Sequence, residues 1–506
     1  MKITPLLLLL AIAGSLSACR QQEQKPVYRP EKALLESAHS KFREGSLTKR
    51  RFTHEDIEPL ILKRKEDSIF NVKTLGKSVE QRPIYQLTYG KGPVKIMLWS
   101  QMHGDESTAT MALFDLFNFL EGRQDEFDTL RTLLAQNTTL FFIPMLNPDG
   151  AEDFKRRNAF GFDINRDALR TESPEARILK QARENAVPDF GFNLHDQSIY
   201  YNVKGSSKPA TISVLAPAFD EKVSMNEVRR SAMKVIVGMN ELLQQYIPGG
   251  VGKYDDSFYP TAFGDNFQKW GTSTILIESG GYKDDPEKQF IRKLNFMVIL
   301  KAVTEIASGA YQEYSDTRYF DIPDNDNQLT DLLIRNLTVE REGQTYLTDI
   351  SIRRGSSTAT PTRSNRSRDG SSIADLGDLS FLYGYEELDA TGFQWQPGRI
   401  YEEKVYSSAA EINREEALSL LRKGYSIVRV ASASPGPASP GSKQEATGKQ
   451  EAGSEQEAGS KALPLLFVHE KNYQPAKPQL GEKATFFISK NGRPHYAVIR
   501  GKLIEL

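Results

Sequence analysis

The stretch that most narrows what this chain can fold into is Val94 to Phe114, VKIMLWSQMHGDESTATMALF. Its apolar run from Val94 to Trp99 has the length of a fully buried strand. The run breaks at His103-Gly104-Asp105-Glu106, after which apolar side chains recur at Met111, Leu113, Phe114 and Leu116 with helical spacing. A histidine and a glutamate therefore stand where a strand gives way to a helix. Imidazole nitrogen and carboxylate oxygen both ligate zinc, and residues three apart on a first helical turn can face one point. Alone, the pair also fits a capping Glu106 beside an ordinary polar His103.

The rest of the chain supplies the context. With 506 residues and 39% hydrophobic content it can bury a large core, and this length suggests about two to four domains. The formal net charge is −1, from 65 basic and 66 acidic side chains, so no overall field favours nucleic acid, and no nucleic-acid partner is expected.

Residues 1–18 read as an export signal. Lys2 is the positive start, Leu6 to Ala13 the apolar segment, and Ser17-Ala18-Cys19 the small-residue end. The apolar segment is too short to span a bilayer as a helix. Leu16-Ser17-Ala18-Cys19 resembles a bacterial lipobox, in which Cys19 becomes the lipidated first residue of the mature protein. Cys19 is also the only cysteine; a plain secretory signal with an incidental cysteine is the other reading. Arg20 follows it in place of the aspartate that commonly retains such proteins at the inner membrane. The expectation is an exported lipoprotein of the cell envelope, at the outer rather than the inner membrane. Residues 19–48 read as a polar tether with a short helix near Lys32 to Phe42.

From Asp56 to about Ala310 strand-like and helical patterns alternate, which predicts an α/β domain with a mixed, largely parallel sheet flanked by helices. Three more strands end in notable residues. Thr139–Leu146 ends in Asn147-Pro148-Asp149-Gly150, Asp189–Leu194 in His195, and Ser273–Ile277 in Glu278-Ser279-Gly280-Gly281. Ligands of open α/β sheets collect beyond the carboxyl ends of strands. The chain has six histidines, and two of them, His103 and His195, follow buried-looking strands directly. A set of two histidines and a glutamate is the ligand type of a catalytic zinc with one position open.

With the run Arg156-Arg157-Asn158-Ala159-Phe160-Gly161-Phe162-Asp163-Ile164-Asn165-Arg166, these motifs stand in a familiar order. Together with GKSVEQRPIY from Gly76, HGDE, NPDG, His195 and Glu278, they resemble the zinc carboxypeptidase (metallocarboxypeptidase) family over about residues 56–310. The resemblance implies one Zn2+ per chain, with His103, Glu106 and His195 as ligands and Glu278 as general base towards a zinc-activated water. It implies that Arg156, with Arg157 as a one-residue alternative, polarises the scissile carbonyl. Asn165 and Arg166 would hold the terminal carboxylate of a peptide, and Tyr254, with Tyr259 behind it, would cover the substrate. Asp163 and Asp167 would support the arginines. Gly264 and Asp265 are candidates for the specificity pocket, where an acid would favour basic side chains; Asp265 as a helix cap is the other reading.

After Ala310 the α/β rhythm stops, and a smaller, mainly-β C-terminal domain is expected. The division is 49–312 for the catalytic domain, 313–430 with 463–506 for the β-module, and 431–462 for a low-complexity insertion expected to be disordered. LIRNLTVEREGQTYLTDISIRRG, YEELDATGFQWQPGRIYE and PQLGEKATFFISKNGRPHYAVIRGKLIEL resemble the opening and close of the composite β-domain of amidohydrolases. His469 and His495 read as ordinary histidines. The expected activity is hydrolysis of C-terminal peptide bonds. The alternatives are a cell-wall peptide amidase of the same fold and a non-catalytic envelope binding lipoprotein.

Overall fold

The computed structural model describes residues 27–66, 69–354, 370–431, 463–468 and 474–506. Cys19 with its signal segment, the insertion from residue 432 and His469 lie outside them. Among the described residues no helix is long and apolar enough to cross a membrane.

An eight-stranded mixed sheet carries the first domain. Its strands lie in the order Asn71–Lys77, Pro83–Tyr89, Thr138–Ile143, Val94–Ser100, Phe190–Asp196, Ser273–Ser279, Ile212–Leu215 and Val251–Lys253. The four strands 138–143, 94–100, 190–196 and 273–279 run parallel, while strands 83–89 and 212–215 flank them antiparallel. The alternation of side chains along a strand explains why the apolar run at 94–99 has no polar face. Ile96 and Leu98 enter the core beneath helices Thr108–Glu121, Glu227–Leu243 and Gln289–Ser308. Met97 and Trp99 enter the opposite core, against helices Pro174–Ala186 and Phe263–Lys269. All four are fully buried, and each contributes about 1.5–3 kcal/mol of transfer free energy.

Two boundaries differ from the sequence reading. Residues 19–48 are not a tether from Tyr28 onward. Helix Lys32–Phe42 forms where expected, but it packs into the domain core through Leu35 and Ala38, as does Leu47. The guanidinium of the buried Arg292 donates to the carbonyls of Glu44 and Leu47 and to Asp115, tying this segment down. A narrow apolar stripe at three-residue spacing is masked by a polar average composition. Likewise the first domain does not stop at residue 312. Tyr314, Tyr319 and Ile322 belong to its core, the Ala216 amide donates to Tyr319 Oη at 3.2 Å, and Asn325–Asp326 pairs antiparallel with Asn202–Val203.

The C-terminal residues build a second sheet in the order 371–377, 344–354, 329–341, 394–397, 486–490, 493–499 and 502–505, with 383–389 pairing parallel to 329–341. A parallel three-stranded sheet, 399–406, 425–430 and 466–468, adjoins it with helix Arg414–Arg422. His495 is exposed and rests edge-on against Phe393.

Candidate metal centre and substrate cleft

The turns around the first motif are joined by backbone packing. Gly104 lies so close to Gly150 that a Cβ there would meet the Gly150 carbonyl carbon at 2.0 Å; HGDE and NPDG therefore interlock backbone to backbone, which only glycine permits. Asn147 Oδ1 accepts from the Gly150 amide at 2.9 Å, and its Nδ2 donates to the Arg156 carbonyl at 3.3 Å. Asp149 accepts from Ser78 Oγ at 2.7 Å, the Glu80 amide at 2.9 Å and Arg82 Nη1 at 2.8 Å. The GKSVEQRPIY segment is thus a brace for the turn that holds Arg156.

On this scaffold His103, Glu106 and His195 offer donor atoms within 4.8 Å of one another, all buried. His103 Nδ1 and Glu106 Oε1 are 2.7 Å apart, as are His195 Nδ1 and Glu106 Oε2, and the two Nδ1 atoms are 3.2 Å apart. His103 Nε2 lies 3.1 Å from Asp163 Oδ1. A proton held there by Asp163 leaves the Nδ1 lone pair facing the other donors, the arrangement typical of a metal-ligating histidine. Two imidazoles and one carboxylate converging in a buried site at the end of the sheet suit a tetrahedral divalent ion with one position open, so the residues present fit zinc. Burial lowers the affinity of His103 for a proton, but Glu106 and Asp163 outweigh it and raise its pKa; for His195 burial prevails and lowers it. Burial works against the charged Glu106, yet the two imidazoles hold it well below the usual carboxylate range.

His195 and Glu278 are register partners on adjacent parallel strands, so the order of the sheet brings the fourth residue to the ligands. Burial, then repulsion from Glu106 and Asp196, pushes the Glu278 carboxyl well above its ordinary value, against Arg156 and Lys288. Behind the pair, Lys288 Nζ donates to Asp196 Oδ2 at 3.0 Å and to the Ser279 carbonyl at 2.7 Å, linking the residues that follow His195 and Glu278.

The cleft in front has a volume of about 450 Å3, and Arg156, Asn165, Arg166, Tyr254 and Asp265 line it along with these four. Arg156 donates through Nε and Nη2 to Asp163 Oδ2 at 3.2 and 3.1 Å and through Nη1 to Glu106 Oε1 at 3.1 Å. Arg157 points elsewhere, donating to the Gly161 carbonyl at 3.0 Å. Asn165 Oδ1 accepts from the Phe263 amide at 2.9 Å, which leaves its NH2 group for an anion. The Arg166 guanidinium sits 5.3 Å from the centre of the Tyr259 ring. Asp163 supports Arg156 as expected, but Asp167 does not support an arginine. It accepts from the Glu172 and Ser173 amides and Ser173 Oγ, capping the approach to helix 174–186. Asp265 lines the cleft but does not cap a helix: it lies within helix 263–269, whose N-cap position is Ala262, and its Oδ1 accepts from the Tyr259 amide at 2.8 Å.

Sequence reading missed Gln197, Ser198, Tyr201 and Asn325, all of which line the cleft. Tyr201 stands 6.0 Å from Tyr254, ring to ring. Gln197, Ser198 and Tyr201 follow the strand that carries His195, whereas Asn325 reaches the site from a distant segment that pairs with Asn202–Val203.

Residues 61–208 match the family described as zinc carboxypeptidase. This segment is zinc carboxypeptidase-like. The match includes His103, Glu106, Arg156, Asn165, Arg166 and His195 and ends before Tyr254 and Glu278. Over 177 residues, 31% of this chain and 46% of the relative, the chain is 29% identical to an uncharacterised protein of Zymomonas mobilis. It is 30% identical over 129 residues to carboxypeptidase SOL1 of Arabidopsis thaliana, covering 24% of this chain and 26% of that protein. The chain thus spans less than half the length of these curated relatives. A metallo-carboxypeptidase structure from Burkholderia cenocepacia superposes with a TM-score of 0.42 and 17% identity, covering 51% of this chain and 70% of that one. The family match ends well before the C-terminal β-sheets begin.

Proposed function

We propose that the zinc carboxypeptidase-like domain hydrolyses the C-terminal bond of peptides with Glu278 as general base. The observation that carries this reading is the convergence of His103, Glu106 and His195 with Glu278, facing a cleft that also carries Asn165 and Arg166. Zinc held by the two imidazoles and Glu106 would supply Lewis acidity and a water nucleophile near neutral pH. Glu278, kept proton-hungry by burial, takes the proton of the attacking water and passes it to the leaving amine. Arg156, oriented by Asp163, offers donors to the carbonyl oxygen as it gains charge. The Asn165 NH2 and the Arg166 guanidinium receive the free carboxylate, and Tyr254 closes over the chain.

Two otherwise identical peptides, free acid and C-terminal amide, test the clamp by initial rate. Losing a partly desolvated charge contact costs about 2–5 kcal/mol, or roughly 30- to several-thousand-fold, so the amide should be turned over that much more slowly. Arg166→Ala should erase most of the difference. Equal rates with the parent would move the reading to an endo-acting amidase of cell-wall peptides, and no turnover of either class to an envelope binding protein.

Asp265 gives the cleft an acid whose pKa burial pushes up to about 7, against the field of Arg166. It gains charge as pH rises through that value. The ratio of kcat/KM for lysine-terminated over norleucine-terminated peptides should therefore climb across neutrality by about tenfold or more. Taking the ratio cancels the titration of Glu278. In Asp265→Asn the ratio should be low and flat with pH; an unchanged slope would remove Asp265 from the specificity pocket.

We place the enzyme on the outer membrane of a bacterial envelope through a lipid on Cys19, with peptides or cell-wall peptides as its substrates. Cys19→Ser should shift it from the membrane fraction to the soluble fraction, as read by fractionation.

A further inference from the structure

The wall of the cleft that follows His195 is held from outside the domain. Gln197, Ser198 and Tyr201 line the cleft, whereas the residues between them face the C-terminal sheet. Tyr385 Oη donates to the Ile199 carbonyl at 2.5 Å. Tyr200 Oη donates to Asp331 Oδ2 at 2.6 Å, and the Leu329 amide to the Tyr200 carbonyl at 3.1 Å. The Arg353 guanidinium covers the Tyr200 ring at 4.3 Å, and the Gln328 amide donates to Asn202 Oδ1 at 2.9 Å. The same Tyr385 hydroxyl packs on the backbone of Gly281, where any Cβ would collide with it and with Ile199. Gly281 lies three residues beyond Glu278. One hydroxyl of the β-module thus touches both segments that leave the ends of the two strands carrying His195 and Glu278.

Five residues of irregular backbone beside a cleft would otherwise sample several conformations, since loops with few buried contacts open at low free-energy cost. We propose that the C-terminal β-sheet is a positioning part of the substrate cleft, with Tyr385 and Asp331 fixing the Ser198–Tyr201 wall and so setting affinity for the peptide chain. This rests on the peptidase reading above and extends it. It also gives a function to a module that contributes no candidate metal ligand among the described residues. Asp331 acts through the Tyr200 hydroxyl, and Tyr385 through the Ile199 carbonyl. Neither lines the cleft.

The test uses the full chain with Tyr385→Phe, Tyr200→Phe and the pair combined, each deleting a hydroxyl while keeping its ring. One hydrogen bond is worth about a two- to tenfold change. Hydrogen–deuterium exchange of amides 198–202 should quicken by that factor in each single variant and by more in the pair, with strand 273–279 unchanged. KM for an N-acylated tripeptide should rise in parallel, while kcat per bound zinc and zinc content stay level. Unchanged exchange overturns the proposal, as does faster exchange with an unchanged KM, which would make the contact structural only. Should the parent hydrolyse no peptide, the peptidase reading fails by itself, and the exchange of 198–202 still decides whether the brace exists.

Discussion

Glu278→Gln is expected to lower turnover by about 10²- to 10⁴-fold, the usual contribution of a positioned base, while zinc remains bound. Glutamine preserves the shape of the carboxylate and its place opposite His195 in the sheet, but it cannot accept the proton of the attacking water. The loss corresponds to about 3–5 kcal/mol of barrier. In the parent, burial and the nearby carboxylates Glu106 and Asp196 push the Glu278 pKa up, and a bound cation pulls it back. The working form is the carboxylate, so the rate should rise with pH as Glu278 loses its proton, and that acid limb should vanish from whatever activity the variant retains. The measurement is a pH–rate profile normalised to zinc content by metal analysis. Parent-like turnover in a zinc-loaded Glu278→Gln protein would remove Glu278 as the base.

His103→Ala and His195→Ala should each lose most of the metal and, with it, essentially all turnover. Each removes one of three candidate ligands from a buried site, and the remaining pair would not meet the coordination that a catalytic zinc takes from its protein. Asp163→Asn should weaken zinc affinity by about 10- to 100-fold, because Asp163 contacts the far nitrogen of His103 and orients Arg156 as well. Circular dichroism should be unchanged in all three, since the four buried apolar residues of strand 94–100 and their two cores do not involve these side chains. Metal analysis after gel filtration decides the matter, and full zinc occupancy in both alanine variants would refute the ligand set. Treatment of the parent with a chelator should abolish activity, and added zinc should restore it.

Much of this site is legible in one dimension because its first half is local. His103 and Glu106 are three residues apart at a strand-to-helix junction, and the run 94–99 declares a strand covered on both faces. The positions of His195 and Glu278 at strand ends follow from the same periodicity. Residue chemistry and spacing therefore determined the donor types, the α/β alternation and the mainly-β character of the C-terminal part.

Only the tertiary structure decided which of these residues meet. His103 and His195 are 92 positions apart, yet their Nδ1 atoms stand 3.2 Å from each other, because strands 94–100 and 190–196 pair in parallel with a particular register. Strand order likewise put Glu278 opposite His195. Tyr201, Asn325 and the brace at Tyr385 were invisible beforehand, as were the packing of the expected helix 32–42 into the core and the core residues Tyr314 and Tyr319. Periodicity records which side of its own element a residue faces. It carries no information about the distant segment that covers that face, and here that covering segment completes the cleft.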